Sequence, residues 1–276
     1  MKLSFDVKDF ILEELDWQLK KEDRSMGIGR IYIGEPTVNL RQNFVPVKQE
    51  KSVHDTIRSS IYDQLNLLGE KISVGSLDVV NANIDYENQL NDTVKRAQTM
   101  NTTDFSIAGV SIHNRIKEFA FDDISFYTKD LSFPINNGFY DIKIGDLRLQ
   151  NDYLELNSFH MVSPYPKKDF AYLHPTHQDW FDVSARRLQI EGMELPALFS
   201  GDAFYAKTVR VEDPVLLNYK NKKIYTPPRW MPMIYEGLQK APVKIDIDKI
   251  HVNNLGVVYE ELAKKRRNPD GWSLRN

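Results

Sequence analysis

The chemistry-bearing side chains of this sequence gather in one stretch, HPTHQDWFD, which holds His174, His177, Asp179 and Asp182, with His160 upstream. Imidazole and carboxylate together form the donor set of a zinc site or of a general-base pair. The metalloprotease arrangement needs two histidines one turn apart on a single helix, and Pro175 directly after His174 stops a helix through both. In a loop the same spacing permits a metal without specifying one. His174, His177 and Asp179 therefore stand as weak metal candidates. The plainer reading is an ordered, aromatic-rich loop over 163–182 that caps a sheet edge.

Other reactive signatures are thinner. GIGR, residues 27–30, lacks the third glycine and the following helix of a dinucleotide fingerprint, and neither a Gly-x-Ser-x-Gly elbow nor a phosphate-binding loop occurs. His54, His113 and His251 fall at polar positions and read as solvated groups. The run Lys264 to Arg267 could attract anionic headgroups, but a solvated loop explains it more simply. The Asn-x-Thr sequons at Asn91 and Asn101 matter only in a eukaryotic secretory setting. We expect no enzyme, no catalytic residue and no cofactor.

Whatever these groups do, the elements that carry them are built from a chain of 276 residues, 41% hydrophobic and 11% aromatic, enough for a sizeable core. The net charge of -3 gives no support to a nucleic-acid partner. Cysteine is absent, which excludes disulfides and thiolate chemistry. No apolar run is long enough to span a membrane as a helix.

The strongest signal is a rhythm. In VKIDIDKIHVNNLGVVYEE, residues 243–261, apolar residues alternate but the alternation twice skips a pair. The same unit runs from Ile72 (Ile72, Val74, Leu77, Val79, Ala82, Ile84, Tyr86) and from Val183 (Val183, Ala185, Leu188, Ile190, Met193, Leu195, Ala197). Copies from Ile142 and Met26 each break one slot, at Asp152 and Pro36, weaker ones begin at Asn114 and Phe204, and Phe10, Leu12, Leu15 and Trp17 form the front half of another. Period two means strands with one dry face and one wet face. The skipped pairs are rich in Gly, Asn and Asp, which form bulges and tight turns and return the apolar set to the same face while bending the strand. The expected fold is mainly β: repeated kinked antiparallel strands forming one curved, one-sided sheet, with one or two short helices, at 54–71 and 229–241. Stretches 87–104 and 163–182 read as long loops. IYIGEPTVNL and VRVEDPVLLNY both set an acid and proline in the second skip. Residues 1–276 read as one repetitive region, with two modules, 1–180 and 181–276, as a finer division.

PPRWMPMIYEGLQKAPVKIDIDKIHVNNLGVVYEE, followed by PDGWSLRN, resembles the large AsmA-like envelope proteins of Bacteroidetes-type bacteria, in the AsmA/TamB group. The two acid-proline elements are similar to a strand, acid-Pro, strand element of that group. The resemblance implies a repeating β-groove in the periplasm, held by an N-terminal inner-membrane anchor, whose apolar lining shields phospholipid acyl chains moving between membranes. Envelope protein partners and a role in outer-membrane assembly are also implied. MKLSFDVKDF reads neither as an anchor nor as a signal peptide, and GWSLRN stops inside an apparent strand, so the chain is expected to be a fragment.

A one-sided sheet must cover its dry face, by folding into a sandwich, closing into a barrel or curling round an apolar guest. With the guest, the groove lining is Ile72, Val74, Leu77, Val79, Ile142, Ile144, Leu147, Leu149, Ile245, Ile247, Ile250 and Val252. The alternative is a β-sandwich scaffold that docks partner proteins through edge strands and loops.

Overall fold

The structure, a computed structural model, describes residues 2–20, 23–43, 70–90, 93–113, 118–173, 178–200, 203–224 and 244–263. Alternating sequence produces strands throughout. β1 (Lys2–Asp6), β2 (Asp9–Lys20), β3 (Asp23–Gly34) and β4 (Thr37–Asn43) come first. β5 (Lys71–Leu90) and β6 (Thr93–His113) are the longest, and β7 (Glu118–Ala120) is a short piece beside β6. β8 (Asp123–Ile135), β9 (Tyr140–Gln150), β10 (Tyr153–Val162) and β11 (Trp180–Glu191) follow, then β12 (Ala203–Glu212), β13 (Val215–Asn221), β14 (Lys244–Asn253) and β15 (Gly256–Leu262).

All 15 described strands join one open, curved sheet. Its main path runs from β2 and β3 through β5, β6, β8, β9, β10, β11 and β12 to β14. Neighbours are antiparallel except that β5 lies parallel to β3 and β4, β12 to β14, and β13 to β15. Two sheets packed face to face, the sandwich alternative, do not form among the described strands.

The skipped pairs are real kinks, and they line up across the sheet. Positive backbone φ angles occur at Glu35, Asn81, Thr102, Asp130, Ser158, Asp213 and Asn254 along one crease. Glu14, Gly109, Asn151 and Gly192 mark a second. Left-handed backbone costs a non-glycine residue energy, so polar residues that tolerate it hold most of these places. At Gly75 a side chain would run into the Gly29 carbonyl on the neighbouring strand, so closeness of the backbones requires glycine there.

The two acid-proline breaks are built alike. Glu35 N–H donates to Val80 O at 2.8 Å, and Asn83 N–H donates to Pro36 O at 2.9 Å. At the other break Asp213 N–H donates to Asn253 O at 3.0 Å and Gly256 N–H to Pro214 O at 2.8 Å. In both, a parallel pair kinks together and resumes in the same register beyond the proline.

Three readings need correction. Residues 87–104 are not a loop: β5 continues to Leu90 and β6 returns from Thr93. Backbone pairing, not apolar alternation, carries that segment. Met193, Leu195 and Ala197 are not strand positions, because β11 ends at Glu191 and Leu195–Ser200 is a helical turn. The loop read over 163–182 ends earlier, since β11 begins at Trp180, and its described part, 163–173 and 178–179, contains a helical turn at Lys167–Phe170. The expected helices lie outside the described residues over 54–69 and 229–241.

Candidate functional site: the apolar inner face

Strand pairing converts the sequence rhythm into rows that cross the sheet. One row runs unbroken through ten strands: Phe10, Ile33, Val79, Phe105, Phe126, Leu149, Leu154, Ile190, Val209 and Ile250. At about 4.8 Å between neighbouring strands, that track is about 43 Å long. Leu12, Ile31, Leu77, Ile107 and Ile124 run beside it at one end. Leu147, Leu156, Leu188, Val211 and Val252 run beside it at the other. Across the far crease, Phe133, Ile142, Met161, Val183, Leu216 and Val257 make a further apolar row.

Burial along these rows is uneven. A core cluster of Ile107, Val110, Ile124, Met193, Leu195, Ala206 and Val209 occupies the middle. Met193 and Leu195 belong to the segment that leaves β11 and folds over the sheet, so the chain plugs its own trough there. Towards both flanks the lining is bare: Phe10, Leu12, Leu15 and Trp17 on one side and Ile245, Ile250, Val252 and Val257 on the other are 42–63% exposed.

Of the lining residues expected from sequence, Ile72 and Ile144 are buried, at 4% and 5% exposure. Val74, Leu77, Val79, Ile142, Leu147, Leu149 and Ile247 are half-buried, and Ile245, Ile250 and Val252 are exposed. Cross-strand pairing joins Leu77, Val79, Leu147, Leu149, Ile250 and Val252 into the central rows, Ile72 and Val74 into the panel beyond the crease at Glu14 and Gly109, and Ile142 and Ile144 into the panel beyond the crease at Asp130 and Ser158. Phe10, Ile33, Phe105, Phe126, Leu154, Ile190 and Val209 complete the long row and were not among the expected lining; all but Phe105 fall on slots of the repeated rhythm, but their joining into one row is a property of register.

One polar spot interrupts the lining. Thr103 and Thr128 are 2% and 0% exposed, and their hydroxyls bond each other at 2.9 Å. The outer face is polar and cross-linked. Arg30 pairs with Asp78 at 3.2 Å, and Ser106 Oγ donates to the same carboxylate at 2.7 Å. Glu155 accepts from Gln189 and Tyr153, each at 2.8 Å, and from Asn157 at 3.1 Å, and these donors, Gln189 foremost, hold its carboxyl below the usual range. Arg186, followed by Asn254, does the same for Asp213 at the second break.

Of the candidate metal stretch only Asp179 and Asp182 fall among the described residues. His174 and His177 lie outside the described residues, as does the run Lys264 to Arg267. Asp179 sits beside Tyr140, whose hydroxyl donates to the Asp179 carbonyl at 3.2 Å. Burial is the main cause of the raised Tyr140 pKa. His160 Nε2 meets Asp182 Oδ1 at 2.8 Å on a partly exposed surface. Among the described residues no group of three or more potential ligands comes together. The loop's role in packing is plain: Phe170, fully buried, stacks edge-on against Phe139 and at a tilt against Tyr140.

Among the described residues no helix is long and apolar enough to cross a membrane. Compared with known proteins, the chain matches no family model, no curated protein and no solved structure.

Proposed function

We propose that the trough is a non-enzymatic holder or conduit for phospholipid acyl chains, working in the bacterial periplasm between the two membranes. The observation that carries this reading is the ten-strand apolar row, bare at both flanks. Acyl chains need a continuous dry surface and no directed hydrogen bonds. One leaflet of a bilayer core is about 15 Å deep, half of the usual ~30 Å, so a track of about 43 Å outlasts an acyl chain with room to spare. Large exposed apolar surface on a folded protein marks a place where something apolar sits. The resemblance to AsmA-like proteins supports the envelope setting, an inner-membrane anchor and envelope protein partners.

Native mass spectrometry of protein purified from a bacterial host without detergent tests the reading. Phospholipid adducts that leave on activation are expected, and Ile250→Asp should lose most of them while keeping its unfolding midpoint. A clean apo mass for the unsubstituted protein would end the proposal.

A further inference from the structure

We propose that Met193 and Leu195 stand in the place of an acyl chain, so that the middle of the trough takes its guest in one lane only, beside the crease at Asp130 and Ser158. This placement rests on the acyl-chain reading above and says where in the trough a guest runs.

From β5 to β11 the pairing sorts the inner side chains between the creases into two lanes. The lane beside the crease at Glu14 and Gly109 holds Leu77, Ile107, Ile124, Leu149, Leu154 and Ile190. The lane beside the crease at Asp130 and Ser158 holds Val79, Phe105, Phe126, Leu147, Leu156 and Leu188. In both, β8 meets β9 along a diagonal, a step that long side chains span.

The chain's own cover treats the two lanes differently. All six side chains of the first lane belong to, or pack against, the core cluster that holds Met193 and Leu195, themselves 6% and 5% exposed. Among the described residues, Phe105 is the one member of the second lane that does. The path of the covering segment accounts for this. Gly192, with a φ of +68°, turns the chain out of β11, and Met193 N–H then donates to Asp152 O at 3.0 Å, in the turn between β9 and β10. That bond ties the segment along the first crease, where β9 and β10 end.

The second lane has another neighbour. Across its crease lies the row of Ile142, Met161 and Val183, so a guest there meets apolar side chains from two panels. At about 4.8 Å per strand the lane is about 24 Å long, more than the ~15 Å depth of one leaflet. Apolar side chains laid on a lane remove it from water as an acyl chain would. Met193 and Leu195 therefore compete with a guest for the first lane, and leave the second to it.

Photo-leucine, a diazirine isostere incorporated at every leucine of the full chain, tests this because both lanes contain leucines. Protein loaded from phosphatidylethanolamine vesicles, re-isolated and irradiated, should carry lipid adducts at Leu147, Leu156 and Leu188. Leu149 and Leu154 should instead link to the peptide that holds Met193. Leu195→Ala should raise lipid adducts at Leu154 several-fold and leave those at Leu156 unchanged; no rise in a folded variant would count against the proposal. Equal adducts in both lanes of the parent chain would overturn it while the acyl-chain reading stood, and so would adducts at Leu12 and Leu15 alone. A parent chain without any lipid adduct would end the acyl-chain reading, and the lane assignment with it.

Discussion

Val209 and Ile250 are direct neighbours in one cross-strand row, yet Val209 is 9% exposed and Ile250 is 60% exposed. Ile107 and Leu12 show the same contrast within a shorter row, at 7% and 42%. Both members of each pair obey one sequence rule and face one side of one sheet. What separates them is whether the chain supplies its own cover. In the middle, Met193 and Leu195 fold back over the sheet, while at the flanks no described element does. The same pattern thus serves as core in one place and as open lining in another.

The contrast can be broken by truncation. Ile107→Ala should cost about 2–5 kcal/mol of stability, because a cavity opens in a packed site. Ile250→Ala, a chemically identical change, should cost about 0.5 kcal/mol or less. Denaturant unfolding of the two variants measures both, and equal losses would mean that the flank is packed as tightly as the middle.

A second test sharpens the meaning of the buried polar spot. Thr128→Val leaves the Thr103 hydroxyl without its partner in a dry site and should cost about 1–3 kcal/mol. The double change Thr103→Val with Thr128→Val removes both hydroxyls and should recover most of that loss. Thr128 Oγ1 also lies 3.4 Å from the Asn101 carbonyl, and a double variant as unstable as the single one would show that this second contact carries the loss.

The smallest effect belongs to the outer face, which is wet in both regions. The folded-state pKa of Glu155 is depressed, so its contribution is present above the unfolded carboxylate range and is lost as pH falls through the folded value. Thermal midpoints should therefore fall on acidification from pH 6 towards 3, and Glu155→Gln should flatten that slope slightly. An identical slope in the variant would mean other carboxylates carry the whole effect.

The strands and their one-sidedness were readable from sequence because period-two alternation is a local property. Two kinks per unit were readable as well, since Gly, Asn and Asp cluster where the φ angles turn positive. Burial was not. Ile72 and Ile245 open matching copies of the rhythm, but exposure depends on which segment returns across the sheet. Met193, Leu195 and Ala197 continue that rhythm and read as strand, although the ladder ends at Glu191, just before the kink at Gly192, and the chain turns helical from Leu195. The polar segment after Leu90 was missed for the opposite reason: backbone pairing with β5 sustains a strand without apolar alternation.

The paired kinks beside Pro36 and Pro214 also bear on how the chain reaches its fold. Several neighbouring strands meet through short hairpins, as Gln150 meets Tyr153. The parallel pairs cannot: Ser25 must wait for Lys71, and Ala203 for Lys244. Closing long loops precedes any reward from contacts, so non-local pairings form late. The hairpins from β8 to β10 are thus set to assemble first, and β14 docks last. Its apolar side chains are then the last to find a surface, and during that interval the half-built flank is open to any passing strand.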